Sequence, residues 1–136
     1  MRGFRFRMKG FNKTGVPSEE WEHIAVVAYL RARYPEALYT IAPSGNKLSR
    51  TEAERFRAMG YTAGTPDLML FEPRKGFHGL FIEMKARSGA RVSEAQEAFI
   101  TRLRERGYAV AVAFGADEAK KTIDAYMAKK EGDVCL

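Results

Sequence analysis

One short apolar segment that carries two charges constrains the fold more than any other part of the chain: Leu80-Phe81-Ile82-Glu83-Met84-Lys85. Side chains in a strand alternate between its faces, so Glu83 and Lys85 project together while the aliphatic residues project the other way. Charges in an apolar strand are costly unless they are paired or bind a ligand. The segment therefore predicts a core strand that also carries chemistry.

The first helix is predicted over residues 19–33. Ser18 can cap it, and the acidic first turn suits the positive end of the helix dipole. Pro35 disfavours helical angles in the residue before it, which ends the helix near Tyr34. Helical spacing predicts one apolar face, made of Trp21, Ile24, Val27, Ala28 and Arg31.

The remaining pattern predicts a small α/β fold, a sandwich around a mixed β-sheet flanked by helices. Ser93 and Gln96 have capping-box spacing, and the helix they open should turn Ala95, Phe99 and Leu103 to the core. An apolar run at residues 108–114 predicts a strand covered on both faces. Strands are expected at residues 38–42, 68–71, 80–85 and 108–114, and helices at residues 19–33, 50–59, 94–105 and 117–130.

Composition narrows the class of protein. The length of 136 residues fits one domain, and Cys135 as the sole cysteine excludes an internal disulfide or a Cys-rich zinc site. No apolar stretch reaches the roughly 18 residues of a membrane span. We therefore expect a soluble, intracellular protein, and its net charge of +6 suits a polyanionic partner.

The N-terminal residues 1–17 are basic and carry interleaved phenylalanines. Such an arm can follow a phosphate backbone, or it can be a solvated tail, and the sequence leaves both open. We expect three regions: the arm at 1–17, a functional domain at 18–130 and a tail at 131–136.

Asp67 lies near the start of the strand that precedes the charged strand, and the short connection between the two strands predicts a hairpin. Asp67 would then approach Glu83 and Lys85. Two carboxylates suit magnesium, which takes oxygen ligands, and the carbonyl of Met84 is a further candidate ligand. Lys85 could orient or deprotonate a water or offset phosphate charge. The structural alternative is a surface ion pair with Asp67 as a turn residue.

Three motifs together resemble the VRR-NUC family of the PD-(D/E)XK nuclease superfamily: Gly64-Thr65-Pro66-Asp67-Leu68, Leu80-Phe81-Ile82-Glu83-Met84-Lys85 and Ser93-x-x-Gln96. The resemblance implies a restriction-endonuclease-like core and a DNA nuclease that uses Mg²⁺ or Mn²⁺. Stand-alone members, many of them phage-encoded, are similar to Holliday-junction resolvases and act as homodimers. The resemblance also implies a location in the cytoplasm of a bacterial or phage-infected cell.

By this resemblance Asp67 and Glu83 hold the metal, for which the Met84 carbonyl is the further candidate named above, Lys85 is the catalytic lysine, and Gln96 lies near the metal. A glutamate of the first helix completes such sites. Glu19 is favoured because the family often has Gln four residues later, where this chain has His23, and Glu22 is the second choice.

Cations in the flanking loops are candidates for phosphate contacts, although a loop cation is often only solvated: Lys47, Arg50, Arg87 and Arg91. His78, in the turn before the charged strand, is interpreted as structural.

The leading hypothesis is a metal-dependent endonuclease of branched DNA such as four-way junctions. The alternatives are a nuclease of flapped or linear DNA, a relative that binds DNA without cutting it, and a basic RNA-binding module.

Overall fold

The computed structural model describes residue 15 and residues 17–43 and 48–128. The predicted basic arm lies outside these residues apart from Gly15 and Pro17, and the predicted tail lies wholly outside them. Eight elements follow in order: α1 (Glu19–Arg33), β1 (Tyr39–Ile41), α2 (Arg50–Ala58), β2 (Leu68–Leu70), β3 (Leu80–Lys85), α3 (Glu94–Glu105), β4 (Ala109–Phe114) and α4 (Ala116–Met127). Their order and type confirm the predicted α/β class.

The described strands form one mixed sheet in the order β1-β2-β3-β4. β1 pairs with β2 and β2 with β3 in antiparallel fashion, which confirms the predicted hairpin. β4 lies parallel to β3, with α3 between them in the chain. β3 is central, and each of its six residues is buried.

The two faces of the sheet have different covers. The main core joins α1 and α4 to one face, through Val26 and Leu30 of α1, Ile82 and Met84 of β3, and Ile123 of α4. Asp124 of α4 accepts hydrogen bonds from Tyr29 and Tyr34 of the α1 region, each at 2.6–2.7 Å. On the other face α3 packs against β4 and carries Gln96, which contacts Glu83 and Lys85 of β3.

The predicted apolar face of α1 is wrong. The helix buries Glu22, Val26 and Leu30, whereas Ile24, Ala28 and Arg31 are exposed. α1 has two apolar stripes, and the stripe that faces the core includes a glutamate. Helical spacing alone does not predict which stripe faces the core, because the partners that compensate the buried charge of Glu22 are far away in sequence.

Two further packing predictions need correction. In α3, Ile100 and Leu103 are buried and Phe99 is half-buried, but Ala95 is exposed. β4 has α4 on one face and α3 on the other, as predicted, but its residues are mostly half-buried and Phe114 is exposed, so this cover is incomplete. The small alanine side chains of β4 reflect close approach of α4 and not full enclosure.

Helix boundaries agree closely with the sequence. Ser18 accepts a hydrogen bond from the backbone N–H of Trp21, and Ser93 and Gln96 form the predicted capping box. Ser49 and Glu52 form a second capping box at the start of α2. It follows residues 44–47, which lie outside the described residues. No helix within the described residues is long and apolar enough to cross a bilayer.

Candidate active site

The hairpin register brings Asp67 beside Glu83. Leu68 pairs with Ile82, so Asp67, one residue earlier, lies across from Glu83, one residue later. A carboxylate oxygen of Asp67 accepts a hydrogen bond from the backbone N–H of Met84 at 2.8 Å. Both carboxylates therefore lie at one end of the hairpin, on the face that α3 covers.

Gln96 links the two charges of β3. Its amide nitrogen donates to Glu83 Oε1 at 2.6 Å, and its carbonyl oxygen accepts from Lys85 Nζ at 2.9 Å. The same oxygen accepts from the backbone N–H of Ser93 at 2.9 Å. Lys85 Nζ also lies 3.3 Å from Glu83 Oε1. One glutamine thus caps α3 and holds the Glu83–Lys85 pair in place.

The carboxylates are in an environment that disfavours two negative charges. Burial, and then the nearby charge of Asp67, raise the pKa of Glu83 to about 7, although Lys85 acts against this shift. Burial also raises the pKa of Asp67, against the opposing effects of the Met84 N–H, His23 and Lys85. A positive ion between the carboxylates would relieve both costs.

Gly64 fixes the position of the loop that leads to Asp67. It has φ of +91°, and a Cβ added there would overlap the backbone carbonyl of Ala95 in α3. The loop therefore touches the first turn of α3, the turn that carries Gln96. This contact sets the distance between the Asp67 loop and the glutamine that holds Glu83 and Lys85.

α1 contributes to the site through Glu19 and His23. The charge of Glu19 acts to raise the pKa of Glu83, and that of His23 acts to lower the pKa of Asp67, so both side chains lie near the carboxylates. His23 Nε2 is buried and is the one buried side-chain nitrogen or oxygen without a hydrogen-bond partner among the described residues.

Glu22, the second choice for the α1 glutamate, has a structural role. Its carboxylate accepts from Arg87 Nε at 2.6 Å and from the backbone N–H of Ala116. Burial opposes its ionisation, but these partners outweigh burial and lower its pKa. Glu22 therefore joins α1 to the start of α4, and Glu19 is the better candidate for the site.

The predicted phosphate-contacting cations are scattered. Lys47 lies outside the described residues. Arg50 is exposed at the start of α2, with Glu54 at 3.4 Å, and Arg91 is exposed in the connection between β3 and α3. Arg87 is bound to Glu22 and lies 3.7 Å from Asp117, so its charge is already largely neutralised.

Tyr61 is a neighbour of the carboxylates that the sequence analysis did not select. Burial, followed by the charges of Asp67 and Glu83, raises the pKa of this half-buried phenol. The sequence signal that could have identified Tyr61 was its position directly after Gly60 and six residues before Asp67. His78 packs edge-on against Tyr108 and donates its backbone N–H to Gly107, consistent with its structural interpretation.

The donor set fits a hard divalent cation. Among residues 17–43 and 48–128, no three His, Cys, Asp or Glu side chains converge into a complete metal site. Two carboxylates do converge, and magnesium characteristically takes one or two carboxylates and keeps several waters. A cation with bound water would relieve the mutual destabilisation of Asp67 and Glu83 and could provide a hydrogen-bond partner for the His23 nitrogen.

Comparison with known proteins identifies a similar domain and a similar fold. Residues 18–117 match the VRR-NUC domain. A solved structure described as a VRR_NUC domain protein superposes with a TM-score of 0.69 at 28% identity, over 80% of this chain and 87% of that chain. No curated protein sequence matches significantly.

Gly64→Ala should separate the Asp67 loop from α3, because the added methyl group overlaps Ala95 and the residue keeps a left-handed backbone. We expect a loss of about 2–4 kcal/mol in unfolding free energy and weaker divalent-metal binding, measured by chemical denaturation and calorimetry. Gly60→Ala is the matched control, since Gly60 also has positive φ but has open space around it. Equal effects of the two substitutions would contradict the role given to the contact.

Divalent metal should stabilise the protein more at pH 8 than at pH 5. Because the pKa of Glu83 is raised to about 7 from 4.5, the folded chain retains a proton that the unfolded chain loses. Without metal, the contribution of Glu83 to stability falls by roughly 3 kcal/mol as pH rises through this window. Bound metal replaces the proton, so thermal melting with Mn²⁺ or with chelator should show an increment that grows with pH.

Two variants make this measurement specific. Asp67→Asn should remove the metal increment, while Asp117→Asn, the same change at an exposed residue of α4, should retain it. An increment of equal size at pH 5 and pH 8 would show that metal binds elsewhere.

Proposed function

The chain belongs to the VRR-NUC domain family, whose members are nucleases with a restriction-endonuclease-like fold, and on that premise we propose that it is a metal-dependent DNA endonuclease. The observation that carries the proposal is the pair of half-buried Asp67 and buried Glu83, with Lys85 and Gln96 beside it. A module that only binds nucleic acid has no use for two carboxylates placed together in its interior.

We propose Asp67, Glu83 and the carbonyl of Met84 as the ligands of Mg²⁺ or Mn²⁺. Held by these ligands, such a cation would supply an activated water and would offset the negative charge that develops on the attacked phosphate. Glu19 and His23 of α1, whose charges act on the pKa of Glu83 and of Asp67 respectively, are the candidates for orienting that water. These assignments rest on donor chemistry and on the family premise.

Lys85 is the candidate for orienting or deprotonating the water or for offsetting the phosphate charge. Its ammonium is held by Gln96 Oε1 and Glu83 Oε1, which fixes its position before substrate binds. Gln96 is a positioning residue in this scheme, because it acts through Glu83 and Lys85. Such advance placement of charged groups lowers the reorganisation needed in the transition state.

The proposed substrate is branched DNA, with four-way junctions as the first candidate, and the proposed domain spans residues 18–130. The net charge of +6 favours a polyanion. The basic arm at residues 1–17 and the cations Lys47, Arg50 and Arg91 are candidate phosphate contacts. Arg87 is a weaker candidate because it is bound to Glu22.

We further propose a homodimer that cuts paired strands. A surface of α1 and β1 supports it: Ile24 is 39% and Ile41 52% exposed, around a groove of about 550 Å³. One edge of β1 pairs with β2, and no described strand pairs with its other edge. An apolar patch next to an open strand edge is suited to self-association, and a twofold dimer repeats one patch.

The test of activity uses labelled four-way junction, flap, single-stranded and linear duplex DNA, each with Mg²⁺, with Mn²⁺ and with chelator. Asp67→Asn and Glu83→Gln should lower cleavage at least a hundredfold, because metal activation supplies several kcal/mol of barrier lowering. DNA binding should be kept or strengthened, since a negative charge facing phosphate is removed. Asp117→Asn should cleave like wild type, and more than a tenth of wild-type cleavage in either site variant would refute this metal site.

The dimer is tested by light scattering at micromolar protein and by mixing wild type with excess Asp67→Asn. We expect a dimer, and the mixture should shift paired cuts to single nicks. Ile24→Lys should give monomers that still nick, whereas Met59→Lys, a similar change at a residue 65% exposed on the α2 side, should not. A monomeric wild type, or a mixture that still makes paired cuts, would exclude the model.

A further inference from the structure

A second groove lies between α3 and the loop that leads to Asp67. Its volume is about 250 Å³, and its lining consists of Thr62, Phe99, Arg102, Leu103 and Arg106. Phe99 and Leu103 form an apolar floor, half-buried and buried respectively, and both arginines are exposed. The groove is separate from the carboxylates. Its two walls, α3 and the loop before Asp67, are also the elements that carry Gln96 and Asp67.

The spacing of α3 connects the groove to the candidate active site. Gln96 contacts Glu83, and the residues at positions 99, 102, 103 and 106 follow it at helical intervals of three and four. These residues therefore continue along the same side of the helix. At 1.5 Å per residue, Arg102 lies about 9 Å and Arg106 about 15 Å from Gln96 along the axis.

The opposite wall is tied to the same site. Thr62 accepts hydrogen bonds at its carbonyl from the backbone and hydroxyl of Thr65, which gives the loop a fixed turn. Gly64 then packs directly on Ala95. The groove and the carboxylates are therefore joined by the same loop and the same helix.

The charge of the groove is positive. No acidic side chain of the described residues lines it. Arg106 Nη1 donates to the carbonyl of Arg102 at 2.8 Å and lies 3.9 Å from Glu105, a largely exposed contact that water screens. Two guanidiniums at the rim of an apolar floor suit a nucleic-acid strand, since phosphates bind arginine and bases or sugars cover aromatic and aliphatic surface.

We propose that this groove binds the DNA strand about three to four nucleotides from the cleaved phosphate, with Arg102 and Arg106 contacting its phosphates. The distance follows from the 9–15 Å separation and a rise of about 3.4 Å per nucleotide in B-form DNA. This inference rests on the proposed nuclease function. It adds a contact that sets the substrate length required on one side of the cut.

The test compares two double variants, each in the Asp67→Asn background so that DNA stays intact. Arg102→Gln with Arg106→Gln removes the groove charges, and Lys120→Gln with Lys121→Gln removes the same charge from α4, which packs on the other face of the sheet. Fluorescence anisotropy measures binding to the labelled junction, flap and duplex DNAs across salt concentrations. Thermal melting checks that all variants fold.

The arginine variant should bind DNA at least tenfold more weakly, and its salt dependence should decrease by about two counterions. The lysine variant should remain close to the parent. DNAs shortened to two nucleotides on one side of the cut should bind the parent more weakly but the arginine variant no more weakly.

Three results would overturn the proposal: equal binding by the two double variants, an arginine effect that is the same for full-length and shortened DNA, or loss of self-association in place of DNA binding. The failure of the nuclease proposal has a different signature. In that case the unmodified chain cleaves no DNA with Mg²⁺ or Mn²⁺, whatever the arginines do. Cleavage by the unmodified chain together with equal binding by both variants would reject the groove alone.

Discussion

The buried charge of Glu83 is the constraint on which the rest of the structure depends. Glu83 lies in a strand that is buried along its whole length, where an uncompensated carboxylate would be strongly unfavourable. Lys85, two residues later on the same face, and Gln96 of α3 compensate it. This compensation of Glu83 requires α3 to begin at a fixed position relative to β3. β4 lies parallel to β3 because the chain returns along α3 before it enters β4. The catalytic proposal and the packing of one face thus have the same physical origin.

Much of this arrangement could be predicted because it depends on local rules. The bounds of α1 follow from Ser18 and Pro35, those of α3 from Ser93 and Gln96, and β3 agrees residue for residue with its apolar run. The short connection predicted the hairpin, and period-two alternation then put Glu83 and Lys85 on one face with Asp67 near them. Each inference needs only neighbours in sequence or one antiparallel pairing.

What could not be predicted depends on long-range compensation. α1 buries a stripe that contains Glu22, because Arg87 and Ala116 stand 65 and 94 residues away to receive its carboxylate. The more apolar stripe, with Ile24, stays at the surface. The position of Tyr61 and the groove beside α3 likewise depend on how a loop lies against a distant helix. Periodicity identifies amphipathic faces, but it does not rank two of them when the partner of a buried charge is remote.

The exposure of α2 has a consequence for protein engineering. None of its residues is buried, and both of its boundaries are polar or glycine: a capping box at Ser49 and a turn at Gly60. The Asp67 loop is fastened to the body from Tyr61 onward, through Tyr61 beside the carboxylates and Gly64 against α3. The segment between Ser49 and Gly60 is therefore an accessory that could be exchanged or lengthened without disturbing the core. In a protein so small, it offers a grafting position for a foreign recognition element close to the carboxylates.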